Sequence, residues 1–171
     1  MKLVDIIVGT RPNFVKAASL IRAFNANESL CRVAQFRLIH TGQHYDNSMS
    51  KIFFDQLDIP SPDFNLEIGN GSQAEQTGGV MIGYEKILNR KRPNICLVFG
   101  DVNSTMAAAI TAKKNGVMVC HVEAGIRSKD MNMPEEINRI LTDSISDIFF
   151  TTSVSAGENL RLVGVSDSQI F

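Results

Sequence analysis

An α/β fold, a doubly wound parallel sheet with helices on both faces, is the architecture the sequence predicts, and three observations carry it. Short apolar runs of strand length alternate with longer stretches whose apolar residues recur at helical spacing. The run Ile95–Phe99 is apolar throughout, as expected of a strand buried on both faces. The length of 171 residues with 44% hydrophobic content is one domain's worth of chain with enough apolar material for a core.

Lys2–Val8 has strand length and begins the sheet. Phe14–Ala26 places apolar residues at 14, 15, 17, 18, 20, 21 and 24, which is one helix face. Val33–His40 is the second strand, and Ser48–Leu57 a short helix stopped by Pro60 and Pro62. The stretch Ile59–Gly71, rich in Pro, Asn and Gly, reads as the one long loop. Ser72–Asn89 is the longest helical pattern, and Ser72 with Glu75 has capping-box spacing. Asn94–Phe99 is the third strand, Asn103–Asn115 an Ala-rich helix, and Val117–Val122 the fourth strand. Pro134–Ser146 opens with proline, a favoured residue in a first helical turn. Ile148–Thr151 is the fifth strand, a helix follows near Ser155–Val163, and Ile170-Phe171 looks like the start of a sixth strand. The first and third strands are expected to lie side by side at the centre.

Charge and composition remove several classes of function. With 17 Lys+Arg against 18 Asp+Glu, bulk charge offers nothing to nucleic acid or to an acidic membrane surface. No apolar run approaches the roughly 18 residues that span a bilayer, and Met1–Val8 is too short and too acidic for a signal sequence. Cys31, Cys96 and Cys120 are widely spaced and read as buried thiols of a reducing compartment, so a cytoplasmic protein is expected. No metal-ligand spacing appears, and no metal is expected.

In a doubly wound sheet, ligands bind beyond the carboxyl ends of the strands, so the residues there are the candidates. After the first strand comes Gly9-Thr10-Arg11-Pro12, with Lys16 a turn further on. A glycine turn, a helix start and two cations suit a diphosphate; the alternative is an ordinary turn with solvated basic residues. After the second comes Gly42-Gln43-His44, where the histidine is either an acid, base or ligand contact or a turn-capping surface residue. After the third comes Gly100-Asp101-Val102-Asn103; either polar residue can cap the next helix, with Asn103 the cap and Asp101 the functional candidate. After the fourth comes His121-Val122-Glu123-Ala124-Gly125-Ile126-Arg127, where Glu123 needs a partner at such depth and Arg127 is the obvious local one. Glu135 and Glu136 open a helix, where carboxylates are also expected from the helix dipole. Three carboxylates and two cations on one edge suit acid–base work on a phosphorylated or nucleotide-linked substrate.

The blocks GTRPNFVKAASL, TGQHYD, FGDVNSTMAAA, HVEAGIRS and MPEEINRILTD, in this order, resemble the non-hydrolysing UDP-N-acetylglucosamine 2-epimerases. The resemblance runs through essentially the whole chain. It implies a Rossmann-like domain that is the N-terminal half of a glycosyltransferase-B-type two-domain fold, with the active site in the cleft between the halves. It implies interconversion of UDP-GlcNAc and UDP-ManNAc through a glycal, with no cofactor, in a cytoplasmic homodimer of polysaccharide biosynthesis. On the matching positions, it implies catalytic roles for Asp101, Glu123 and Glu135, contact with the nucleotide diphosphate for Arg11 and Lys16, and places Arg127 among the substrate-binding residues. Gln43 and His44 match a loop near a second, regulatory UDP-GlcNAc site in some bacterial members. Family members are about twice this length, so residues 1–171 are expected to be a single N-terminal domain without its C-terminal nucleotide-binding partner, inactive alone. Self-association is expected through the helices around 72–89 and 103–115. Two other readings stay open: a hydrolysing or other UDP-2-acetamido-sugar 2-epimerase, and a non-catalytic dimerising module.

Overall fold

The computed structural model describes residues 1–42, 54 and 57–171. Six parallel strands form one sheet: β1 (Lys2–Val8), β2 (Ala34–His40), β3 (Phe64–Asn65), β4 (Ile95–Phe99), β5 (Met118–Val122) and β6 (Ile148–Phe150). Their order across the sheet is β3-β2-β1-β4-β5-β6. The chain therefore winds outward from β1 in one direction and from β4 in the other, and the switch point lies between them. β1 and β4 do lie side by side, with Val4 opposite Ile95 and Ile6 opposite Leu97.

The described helices are α1 (Arg11–Asn25), α2 (Glu28–Val33), α3 (Gln73–Arg90), α4 (Asn103–Lys114), α5 (Pro134–Ile145) and α6 (Val154–Leu162), followed by a 3₁₀ turn at Asp167–Gln169. On one face, Val80, Tyr84, Ile87 and Leu88 of α3 and Ala107, Ala108, Ala109 and Ala112 of α4 pack on Ile7, Ile39, Cys96, Val98 and Val119 of the sheet. On the other, Phe14, Ala17, Ala18 and Ile21 of α1 pack on Ile6, Val8, Leu38, Leu97 and Phe99. Alternate residues of each strand thus serve the two faces, as the two-residue period of a strand requires. The alanines of α4 let it sit close to the sheet between α3 and α5. Ala107, Ala108, Ala109 and Ala112 are fully buried in this packing, while Met106 and Ile110 of the same helix are partly exposed.

Local chemistry explains most helix boundaries. Ser72 accepts from the Glu75 amide and Glu75 answers the Ser72 amide at 2.8 Å, so the capping box closes as expected. Pro134 occupies the first turn of α5. Three expectations need correction. The long loop contains β3, whose two residues extend the sheet edge because Asp63 ties back to the Leu38 amide at 2.7 Å. The short α2 was not expected; Asn27 caps it by accepting from the Leu30 amide. Cys31 lies on this helix and is exposed, while Cys96 and Cys120 are buried and burial raises both thiols, Cys120 to about 11. Ile170-Phe171 begins a further strand as expected: Ile170 bridges Phe149 in parallel, and the Phe171 amide donates to the Phe149 carbonyl at 2.8 Å. The helix expected at Ser48–Leu57 lies, apart from Phe54 and Leu57, outside the described residues.

One polar cluster is built into the sheet away from its carboxyl edge. Asp5 of β1 is fully buried, and Arg37, its neighbour on β2, grips it with two hydrogen bonds of 2.7 and 2.8 Å. The Tyr84 hydroxyl donates to the same carboxylate at 3.0 Å. Burial raises the Asp5 carboxyl despite these donors. Tyr84→Phe takes one donor from a buried carboxylate and is expected to cost about 1–3 kcal/mol, read as a lower urea midpoint with unchanged slope. An unchanged midpoint would show that Arg37 alone satisfies Asp5.

Candidate active site

Because all six strands are parallel, every strand's carboxyl end lies on one edge, and the turns that leave β1, β4 and β5 stand next to one another there. The first turn is Gly9-Thr10. A side chain at Gly9 would collide with the Ser104 hydroxyl and stand 2.9 Å from that of Thr41, so only glycine fits where β1 passes these neighbours. Arg11 and Pro12 open α1, and Asn13 ties the helix start to the Phe99 carbonyl of β4. Arg11 is exposed there, and Lys16 lies one turn further along.

Lys16 reaches across the end of β4 to form an ion pair with Glu123, both side chains about a third exposed or less. Gly100 makes the crossing possible: a Cβ there would stand 3.2 Å from Glu123 Oε2 and 3.8 Å from Lys16 Nζ. The partner expected for Glu123 was Arg127. The structure corrects this, because the Arg127 guanidinium turns to Asp143 at 2.6 Å and to its own residue's neighbour, the Ile126 carbonyl, at 2.8 Å. Glu123 itself has φ +73°, a left-handed conformation uncommon outside glycine. Its amide and that of Ala124 both donate to the Phe150 carbonyl at the end of β6. A non-glycine residue held in this region costs about 1–3 kcal/mol and marks sites where geometry is over-determined.

Asp101 follows Gly100 and forms an ion pair with Arg139 of α5. Neither Asp101 nor Asn103 caps α4: the N-cap is Val102, which has no side chain to do so. Asn103 instead joins a chain of amides, donating to Gln76 of α3 at 3.1 Å and accepting from Asn138 of α5 at 3.1 Å. Asn138 also donates to the Asp101 carbonyl at 2.9 Å. The first turns of α3, α4 and α5 are thus laced together beside Asp101.

Of the two glutamates that open α5, Glu135 is exposed, whereas Glu136 is 1% exposed. Glu136 accepts from the Ser128 and Lys129 amides at 2.9 and 3.0 Å and from Arg139 at 3.0 Å. Burial opposes its charge, but these donors outweigh burial and bring the carboxyl down to about 2. Arg139 therefore bridges Asp101 and Glu136, and Glu136 holds the segment that leads out of β5. Neither was singled out from sequence, although Glu136 and Arg139 stand three apart on one helix face. Gln43 and His44 lie outside the described residues. No group of three or more potential metal ligands occurs among the described residues, and no described helix is long and apolar enough to cross a membrane.

The arrangement offers two carboxylates, each held by a cation, at neighbouring strand ends, with an exposed arginine at the start of α1. Such a set can move protons and stabilise changing charge on one substrate.

Known proteins can be compared with this geometry. The family described as UDP-N-acetylglucosamine 2-epimerase matches residues 29–171. The UDP-N-acetylglucosamine 2-epimerase of Methanocaldococcus jannaschii is 46% identical over 171 residues, covering the whole of this chain and 45% of that protein. The UDP-2,3-diacetamido-2,3-dideoxy-D-glucuronate 2-epimerase of Pseudomonas aeruginosa is 45% identical over 164 residues, 96% of this chain and 45% of that protein. A crystal structure of the M. jannaschii enzyme in complex with UDP-GlcNAc and UDP superposes with a TM-score of 0.91 at 45% identity, over all of this chain and 46% of that one. The chain thus spans about half the length of the relatives it matches.

Glu136 carries a test of the site's framework. Its folded carboxyl titrates near 2 against an ordinary 4.5, so its contribution to stability is complete above about 4.5 and fades as pH falls towards 2. Glu136→Gln is expected to lower stability at pH 7 and to flatten the stability loss between these pH values, as measured by urea unfolding at stepped pH. An acid limb identical to the parent's would mean that the Ser128 and Lys129 amides do not depend on this charge.

Proposed function

Because the chain belongs to the UDP-N-acetylglucosamine 2-epimerase family, we propose that it forms the acid–base wall of an enzyme that interconverts UDP-GlcNAc and UDP-ManNAc by inverting carbon 2. The observation that carries the reading is the meeting of Lys16, Gly100 and Glu123 at the ends of three strands, with Asp101 on the adjoining residue. The UDP-GlcNAc and UDP held by the M. jannaschii relative supply the ligand class.

The chemistry needs this combination. The C2–H of a UDP-sugar is not acidified by a carbonyl, so the C1–O bond must break as, or before, the proton leaves. The electron pair of C1–O goes to UDP, that of C2–H becomes the C1=C2 double bond, and the proton goes to a carboxylate. Proton delivery to the opposite face of C2 and return of UDP to C1 give the epimer. Asp101 and Glu123 serve as the proton-moving pair, and exposed Glu135 at the mouth of α5 is the third carboxylate of the site. Arg11 and Lys16 take the diphosphate, whose charge grows as it departs. Lys16 then exchanges Glu123 for phosphate oxygens, which leaves Glu123 free to accept a proton. Arg127, engaged by Asp143, lies one layer beneath the substrate. The whole enzyme also requires uridine contacts that a second domain provides, and association as a homodimer uses α3, whose Ile82 is exposed. Free thiols fit a cytoplasmic setting.

A second reading is favoured by one comparison. The P. aeruginosa enzyme, named for a diacetamido glucuronate, is as similar to this chain as the UDP-GlcNAc enzymes are. The same acid–base wall then acts on another UDP-2-acetamido sugar, and product analysis with both substrates separates the two.

Asp101→Asn and Glu123→Gln are each expected to lower turnover about 10²–10⁴-fold while UDP affinity changes little, because they remove groups used in the transition state. Arg11→Ala is expected to weaken both UDP binding and turnover, since diphosphate charge is present before and during the reaction. Steady-state epimerisation beside UDP calorimetry on the full-length enzyme reads these together. Near-parental turnover in both carboxylate variants would remove the proton-moving pair from the mechanism.

A further inference from the structure

We propose that His121 is a positioning residue of the acid–base site, its buried ring holding the turns that carry Asp101 and Glu123 in fixed relation to one another. The inference rests on the reading of those two carboxylates as the proton-moving pair. His121 lies on β5, opposite Val98 of β4, with no exposed surface, so it touches no substrate. Its two ring nitrogens point in useful directions. Nε2 is 2.8 Å from the Gly100 carbonyl, which only accepts, so Nε2 carries a proton and donates. Nδ1 is 2.7 Å from Asp143 Oδ1. The other oxygen of Asp143 accepts from the Gly125 amide at 3.1 Å and from Arg127 at 2.6 Å.

One ring therefore spans two turns. Through Nε2 it fixes the peptide immediately before Asp101, and through Asp143 it fixes the peptide two residues beyond Glu123. The backbone at these points needs fixing: Gly100, Glu123 and Gly125 have φ of +65°, +73° and +79°. Gly125 is further confined, since a side chain there would collide with the Ala156 carbonyl, and Asn159 donates to the Gly125 carbonyl at 2.9 Å. His121, Asp143 and Arg127 thus hold the carboxylate turns from below, while Lys16 and Arg139 hold the carboxylates from the side. This also gives Arg127 an occupation beneath the site in place of pairing with Glu123.

The test uses His121→Leu, which removes both contacts, and His121→Gln, which keeps a side-chain donor. On the full-length enzyme, His121→Leu is expected to lower kcat about tenfold or more with KM within about twofold, and His121→Gln to recover part of the loss. In a Glu123→Gln background, the same Leu substitution is expected to cost several-fold less than in the parent, because the part of its effect that runs through Glu123 is already removed and only the part through Asp101 remains. An undiminished loss in that background, or unchanged kcat in the parent, would overturn the proposal. If His121→Leu fails to fold, His121→Gln carries the same comparison. Backbone NMR separates this proposal from the functional reading. A folded His121→Gln protein in which the Asp101, Glu123 and Gly125 amide signals move together supports positioning even if no epimerisation is found, and signals that stay in place overturn it.

Discussion

The ion pair between Lys16 and Glu123 is the contact on which the active edge depends. It joins the helix after β1 to the turn after β5, and it passes over the end of β4, which stands between them. Each part of the edge is shaped to permit it. Gly100 leaves the room a side chain would fill, and Glu123 takes a left-handed backbone at the point where its carboxylate must turn back towards α1. A half-buried pair of this kind leaves either partner poorly compensated when the other is drawn away. A phosphate-bearing ligand that engages Lys16 therefore changes the electrostatic surroundings of Glu123 directly.

A second layer of polar contacts keeps the edge rigid. Gln76, Asn103 and Asn138 connect the openings of three helices, and Arg139 ties Asp101 to Glu136. Glu136 in turn holds two amides of the segment leaving β5. Glu136 and Asn138 are buried, and the value of the network is in limiting where Asp101 stands. Preorganised charge of this kind contributes to catalysis because little rearrangement is needed when charge develops on the substrate.

Much of this was legible from residue order alone. The five long strands and the larger helices follow from apolar periodicity, and the strand ends from glycines and prolines beside charged residues. Asp101, Glu123, Lys16 and Arg11 stand at the carboxyl edge because parallel strands force that arrangement. What escaped were features set by tertiary geometry. β3 has two residues, too few for any pattern, and α2 depends on one asparagine cap. Arg127 is the nearest cation to Glu123 in sequence, yet Lys16, more than a hundred residues away, is nearest in space. Glu135 and Glu136 are equivalent on paper, and only the phase of α5 decides that Glu136 turns inward to Arg139. His121 interrupts an apolar strand, a sign that a buried polar contact was required, but its partner Asp143 lies on a different element.

The central claim is that this edge moves the proton at carbon 2 of a UDP-2-acetamido sugar. The direct measurement is proton NMR of UDP-GlcNAc incubated with the full-length enzyme in heavy water. The account predicts loss of the C2 proton signal from substrate, with a UDP-ManNAc product bearing deuterium at C2. Product formed with its C2 proton retained from substrate, or no exchange at C2 from an enzyme that binds UDP-GlcNAc, would contradict it.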